Sequence, residues 1–69
     1  MNRAQQLRID ARLTPTQLAE KTGVSRRTIE RIESGKGARV ETLGALADFF
    51  EVPASTLTMP ALGPDREAA

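Results

Sequence analysis

The chain has no cysteine and no histidine. Without thiols it can build neither a disulfide nor a thiolate zinc site. Without imidazole it has no nucleophilic triad, no His-based metal site and no His acid–base chemistry. Tyrosine and tryptophan are missing too, and the aromatics amount to two phenylalanines. No glycine-rich phosphate loop is present. An enzyme is therefore the least favoured class, and no cofactor or metal is expected. Thiol-free composition fits a cytoplasmic protein. No apolar run follows the N-terminal basic residues, so no signal peptide is read. The longest apolar stretch, Leu43 to Phe50, is broken by Asp48 and too short for a bilayer. No stretch alternates with period two over a useful length, so no sheet is expected.

What remains is a single small domain. Sixty-nine residues build one modest core, near the lower limit for folding without staples. The net charge of +1 hides a strong asymmetry. Residues 1–39 hold nine Lys/Arg against four Asp/Glu, whereas residues 40–69 hold one against five. A polyanion would meet the first half, with the second facing away.

Start and stop signals divide the chain into five helices and a tail. Asn2 caps the first helix, with Gln5 in the reciprocal position, and Ala4, Leu7 and Ala11 recur at helical spacing. Ile9 falls off that stripe and reads as a filler against the C-terminal turn. Thr14-Pro15-Thr16-Gln17 is a stronger start: a cap, a proline at the first helical position, and a capping-box glutamine. That helix stops at Gly23. Ser25 caps the next, which stops at Ser34-Gly35. Val40, Leu43, Leu46, Ala47 and Phe50 mark a fourth helix, weakened by Gly44. Pro53 ends it, and Ala54 to Leu57 form one further helical turn. The predicted helices are 3–11, 15–22, 26–34 and 40–50. The domain is placed at 1–57 and a flexible tail at 58–69, because prolines, glycine and small residues dominate there.

The stretch Pro15 to Ser34, PTQLAEKTGVSRRTIERIES, carries the functional information. Leu18 and Ala19 face inward from one short helix, and Gly23 supplies the positive φ that ends it. Ile29 and Ile32 form the inward stripe of a second helix, whose free side carries Arg26, Arg27 and Arg31. Cations at a helix N-terminus oppose the macrodipole, a local cost that hints at function. A short helix held by another, with cations along its outer side, has the shape that enters a DNA major groove. Glu30 beside them is either a solvated partner or an acceptor for a cytosine amino group. Phe49, with Leu57, Met59 and Leu62, is a candidate dimer contact or a set of singly exposed apolar residues.

On the motifs LTPTQLAEKTGVSRRTIERIESGK and ETLGALADFFEV, the chain resembles the phage repressor and Cro type of helix-turn-helix protein, the XRE family. The resemblance runs from about Arg3 to Leu57. It implies an all-α, five-helix repressor-like fold, binding to a double-stranded DNA operator, transcriptional regulation, and usually a homodimer on a two-fold-related site. Residue by residue, it places Ser25, Arg26, Arg27 and Arg31 where base edges are read. It places Thr28 near the phosphates, and Lys36 and Arg39 on loop positions that approach the backbone. It makes Arg8 and Glu33 a buried structural ion pair. Two departures stand out. The family usually has a glutamine at Pro15 that contacts phosphate and braces the first recognition residue; Pro15 can do neither, which leaves Thr16 or Gln17 to substitute. Arg12 stands where the family often ends its first helix with glycine, so a less regular exit is expected. Two alternatives remain open: an antitoxin or other protein-interaction module of the same fold, with a protein partner, or the DNA-binding head of a longer repressor.

Overall fold

A computed structural model describes residues 2–59. Among them the chain is all helical: α1 (Arg3–Asp10), α2 (Pro15–Thr22), α3 (Arg26–Glu33), α4 (Val40–Phe50) and a closing 3-10 turn (Ala54–Thr58). The fifth element is thus a 3-10 turn and not an α-helix. Pro53 lacks an amide hydrogen and enters the turn from extended backbone, and only five residues follow in helical form. The tail expected over 58–69 does not hold at its first two residues, since Thr58 belongs to the 3-10 turn and the Met59 carbonyl accepts from the Arg3 amide; from residue 60 on it lies outside the described residues.

The starts follow from local chemistry. The Asn2 side chain accepts from the Gln5 amide at 3.0 Å. Thr14 and Gln17 form the full reciprocal box, at 3.1 and 2.9 Å. Ser25 accepts from the Thr28 amide at 3.2 Å. Only α4 and the 3-10 turn begin without a side-chain cap.

The ends share one geometry. Each α-helix is followed by a residue of positive φ: Arg12 at 61°, Gly23 at 77°, Gly35 at 91° and Glu51 at 58°. At three of them the chain closes a pair of reversed hydrogen bonds. Leu13 donates to the Arg8 carbonyl and Arg12 to Ile9; Lys36 to Arg31 and Gly35 to Ile32; Val52 to Ala47 and Glu51 to Asp48. These are Schellman ends. The exit from α1 is therefore as regular as the others, against the sequence expectation: Arg12 takes up the left-handed conformation that glycine would hold. Gly23 makes the simpler single bond, to the Ala19 carbonyl.

The core comprises Ala4, Leu18, Val24, Ile29, Ile32, Leu46, Ala47 and Leu57. It binds α3 against α1 and α2, α4 against α2, and the closing turn against α1 and α4. Leu57 is fully enclosed, which removes it from the candidate dimer contact; Phe49 and Met59 are exposed, and Leu62 lies outside the described residues. Ile9 is exposed and fills nothing. Val40 begins the apolar stripe of α4, yet it is 81% exposed. It is the first residue of that helix, one turn before the stripe reaches the other elements. Two polar contacts tie the start of α1 to the rest of the fold, one to α3 and one to the residue after the closing turn. Asn2 Nδ2 donates to the Ile32 carbonyl at 2.6 Å, and the Arg3 amide donates to Met59 O at 2.8 Å. No helix among the described residues is long and apolar enough to cross a membrane.

Candidate nucleic-acid interface

The α2–turn–α3 unit is built from the inside. Leu18 on α2 and Ile29 and Ile32 on α3 are buried at 1–2% exposure, and Val24 in the turn at 9%. Gly23 reverses the chain between the helices, and Ser25 restarts it. The Ser25 hydroxyl is engaged twice: it accepts from the Thr28 amide and donates to Thr28 Oγ1 at 2.9 Å.

With two isoleucines pinned inward, the helical period turns Arg27 and Arg31 outward. Glu30 and Arg26 run along the flank facing the start of α2. Glu30 there lines a cleft together with Pro15 and Glu33. Thr28 lies on the opposite flank and, with Arg31, lines a groove completed by Gly37, Ala38, Arg39 and Thr42. Arg26, Arg27, Arg31, Lys36 and Arg39 are all exposed. Arg26 Nε donates to Glu30 Oε2 at 3.0 Å. The Arg27 and Arg31 heads have no partner among the described residues. Thr16 is exposed at the second position of α2. Gln17 spends its carbonyl oxygen on the Thr14 amide, which leaves its NH2 group to donate.

The DNA-contacting positions named from sequence thus fall into three groups. Ser25, Arg26, Arg27, Thr28 and Arg31 share α3 and its cap, Lys36 and Arg39 lie in the loop after it, and Thr16 and Gln17 stand at the start of α2. Sequence reasoning missed Thr42. Its signal was the spacing of three from Arg39, which puts it on the first turn of α4. That helix has no side-chain cap, so its first amides are unpaired by any cap.

Behind the surface, Arg8 and Glu33 are joined side-on. Arg8 Nε donates to Oε2 at 2.7 Å and Nη2 to Oε1 at 3.0 Å, while Nη1 donates to the Leu13 carbonyl at 2.8 Å. Their side chains are 11% and 9% exposed. The hydrogen bond with Glu33 raises the Arg8 pKa above its ordinary value; burial opposes the rise, and the Glu33 charge adds to it. The pair ties the last turn of α1 and its exit loop to the last turn of α3. No buried side-chain polar atom among the described residues is left without a partner.

No curated protein and no solved structure matches the chain. A family model described as helix-turn-helix matches residues 5–57, which takes in most of α1, all of α2, α3 and α4, and most of the closing turn. With that match and this geometry in hand, the chain belongs to the XRE-type helix-turn-helix family, a family of DNA-binding regulatory domains.

Proposed function

We propose that this chain is a sequence-specific regulator of transcription of the repressor and Cro kind, with α3 as the helix that enters the major groove. The observation that carries the reading is the contrast between the two sides of α3. One side is locked by Ile29 and Ile32. The other presents Arg27 and Arg31 unpaired, with Arg26 beside Arg27 at the N-terminal end. Arginine suits bidentate contact with guanine O6 and N7, so the half-site contains guanine. Thr16, Gln17, Thr28, Lys36 and Arg39 position the protein on phosphates, which fixes register without reading sequence. Residues 1–57 act as the binding domain. A homodimer on a two-fold-related site places its half-site centres about 34 Å apart, one turn of the duplex.

Selection from a randomised duplex pool at moderate salt supplies the operator. Arg26, Arg27 and Arg31 are then replaced singly by alanine. Each should cost about 1–3 kcal/mol on the operator and much less on a scrambled duplex, with one guanine preference lost per change. Equal loss on both duplexes for all three variants would reduce the arginines to a charged patch.

A further inference from the structure

The reading surface of α3 carries a carboxylate, Glu30, and only one of the three arginines has gone to it. Arg26 Nε donates to Glu30 Oε2 at 3.0 Å, and no hydrogen bond engages either Nη of Arg26. Neither helix stability nor attraction to a polyanion accounts for this acid. Both side chains are more than half exposed, at 64% and 51%, so water screens the pair. The order is also the weaker one: an i, i+4 pair stabilises a helix better with the acid towards the N-terminus, and here the base comes first. A negative charge on this surface repels phosphate and weakens binding to any sequence.

What the contact does accomplish is geometric. An arginine head has five donors in a planar fork. Fixing the Nε–H on one side restrains the plane of the guanidinium and leaves the Nη1 and Nη2 groups free together. Those are the donors that a bidentate contact with a guanine edge requires. We infer that Glu30 is a positioning residue for base recognition: it holds Arg26 by Nε so that the terminal fork is pre-aimed, while its charge lowers affinity for operator and non-cognate duplex alike. Specificity is a difference of affinities, and of these two effects only the brace acts on that difference. Arg27 and Arg31 have no such brace among the described residues, so the effect belongs to the base that Arg26 reads. The inference rests on the base-reading proposal above.

The test uses the full chain, its selected operator and a scrambled duplex at one fixed salt concentration, with helix content checked by circular dichroism. Glu30→Ala should raise scrambled-duplex affinity, because a repelling charge is gone. It should also lower the operator-to-scrambled ratio roughly two- to tenfold, the scale of ordering one long side chain on binding. Glu30→Gln should raise scrambled-duplex affinity in the same way yet keep most of the ratio, because its amide oxygen still accepts from Nε. In an Arg26→Ala background, Glu30→Ala should leave the ratio unchanged. Three results overturn the inference, each distinctly. If Glu30→Ala still lowers the ratio without Arg26, Glu30 touches a base itself. If Arg26→Ala lowers the ratio but Glu30→Ala does not, Arg26 reads unbraced and the base-reading proposal stands alone. If Arg26→Ala leaves the ratio intact, base reading by Arg26 and its brace fall together.

Discussion

Backbone conformation decides what a single glycine is worth in this chain. Gly44 lies inside α4, where a Cβ would meet nothing within 4 Å. Alanine there keeps the helix and reduces the freedom of the unfolded chain. Gly44→Ala should therefore stabilise by about 1 kcal/mol, read in thermal unfolding as a rise of roughly 4–8 °C. Gly23 has equally open surroundings but a φ of +77°. The same substitution there should destabilise by about 1–2 kcal/mol, because an L-residue is strained in the left-handed region. Opposite signs from identical chemistry in open space would isolate φ as the cause; equal signs would refute it. Glu51 reverses the case, since it already holds a φ of +58° at the end of α4. Glu51→Gly should gain about 0.5–1 kcal/mol, the relief of strain less the entropy of glycine. Arg12, at +61°, offers the same relief, but replacing it also removes a cation from the basic half.

At the scale of elements, both ends of α1 are joined to the last turn of α3 by polar contacts that flank the core. Asn2 reaches the Ile32 carbonyl, and Arg8 grips Glu33 and the Leu13 carbonyl. Removing one partner leaves the other charge enclosed without compensation. Arg8→Ala should cost about 3–5 kcal/mol, most of the stability of so small a domain. Replacing both, as Arg8→Met with Glu33→Leu, should recover much of that loss in urea titration. If the double variant is no better than the single one, the apolar pair does not pack there, and the ion pair is needed for shape as well as charge. The contacts differ in how they could be read. The cap of Asn2 is local and was legible; its bond to Ile32 spans thirty residues and leaves no trace in the spacing of the chain. The α2 start was legible to the residue, because Thr14, Pro15 and Gln17 each act within one turn. The left-handed ends at Arg12 and Glu51 were not, because neither residue type announces a positive φ. The same division runs through the candidate site. Period alone puts Arg27 and Arg31 opposite the isoleucines and brings Glu30 within reach of Arg26, but it does not say that Arg26 is held by Nε, or that the loop folds so that Thr42 closes the groove beside Arg31. The burial of Leu57 and the exposure of Val40 likewise depend on where the helices end relative to one another.

For the whole molecule, the determining quantity is where charge stands and not how much there is. A net charge of +1 predicts little attraction to DNA, yet nine of the ten cations fall in residues 1–39. Those nine include Arg26, Arg27 and Arg31 on α3, Lys36 and Arg39 in the loop after it, and Lys21 on α2. The acids of α4, Glu41 and Asp48, are exposed, as is Glu51 behind them. If the basic half meets the duplex, each phosphate it neutralises releases counterions, and log affinity should fall linearly with log salt by about 0.9 per phosphate. The prediction separates three kinds of charge. Lys36→Ala and Arg39→Ala should each flatten the slope by about 0.9 and weaken operator and scrambled duplex alike, because phosphate contacts carry no sequence. Asp48→Asn, on the acidic half, should raise the net charge by the same single unit yet leave the slope unchanged, because it neutralises no phosphate. Exposed charges more than about 8 Å from the duplex are largely screened at physiological salt. A titration from low to moderate salt on one duplex, for the parent and these three variants, reads all of this from slopes alone. Parallel lines for Lys36→Ala and Arg39→Ala would take the α3–α4 loop out of the interface. A slope altered by Asp48→Asn would bring α4 into it, and the docked orientation would then turn the acidic half towards the duplex.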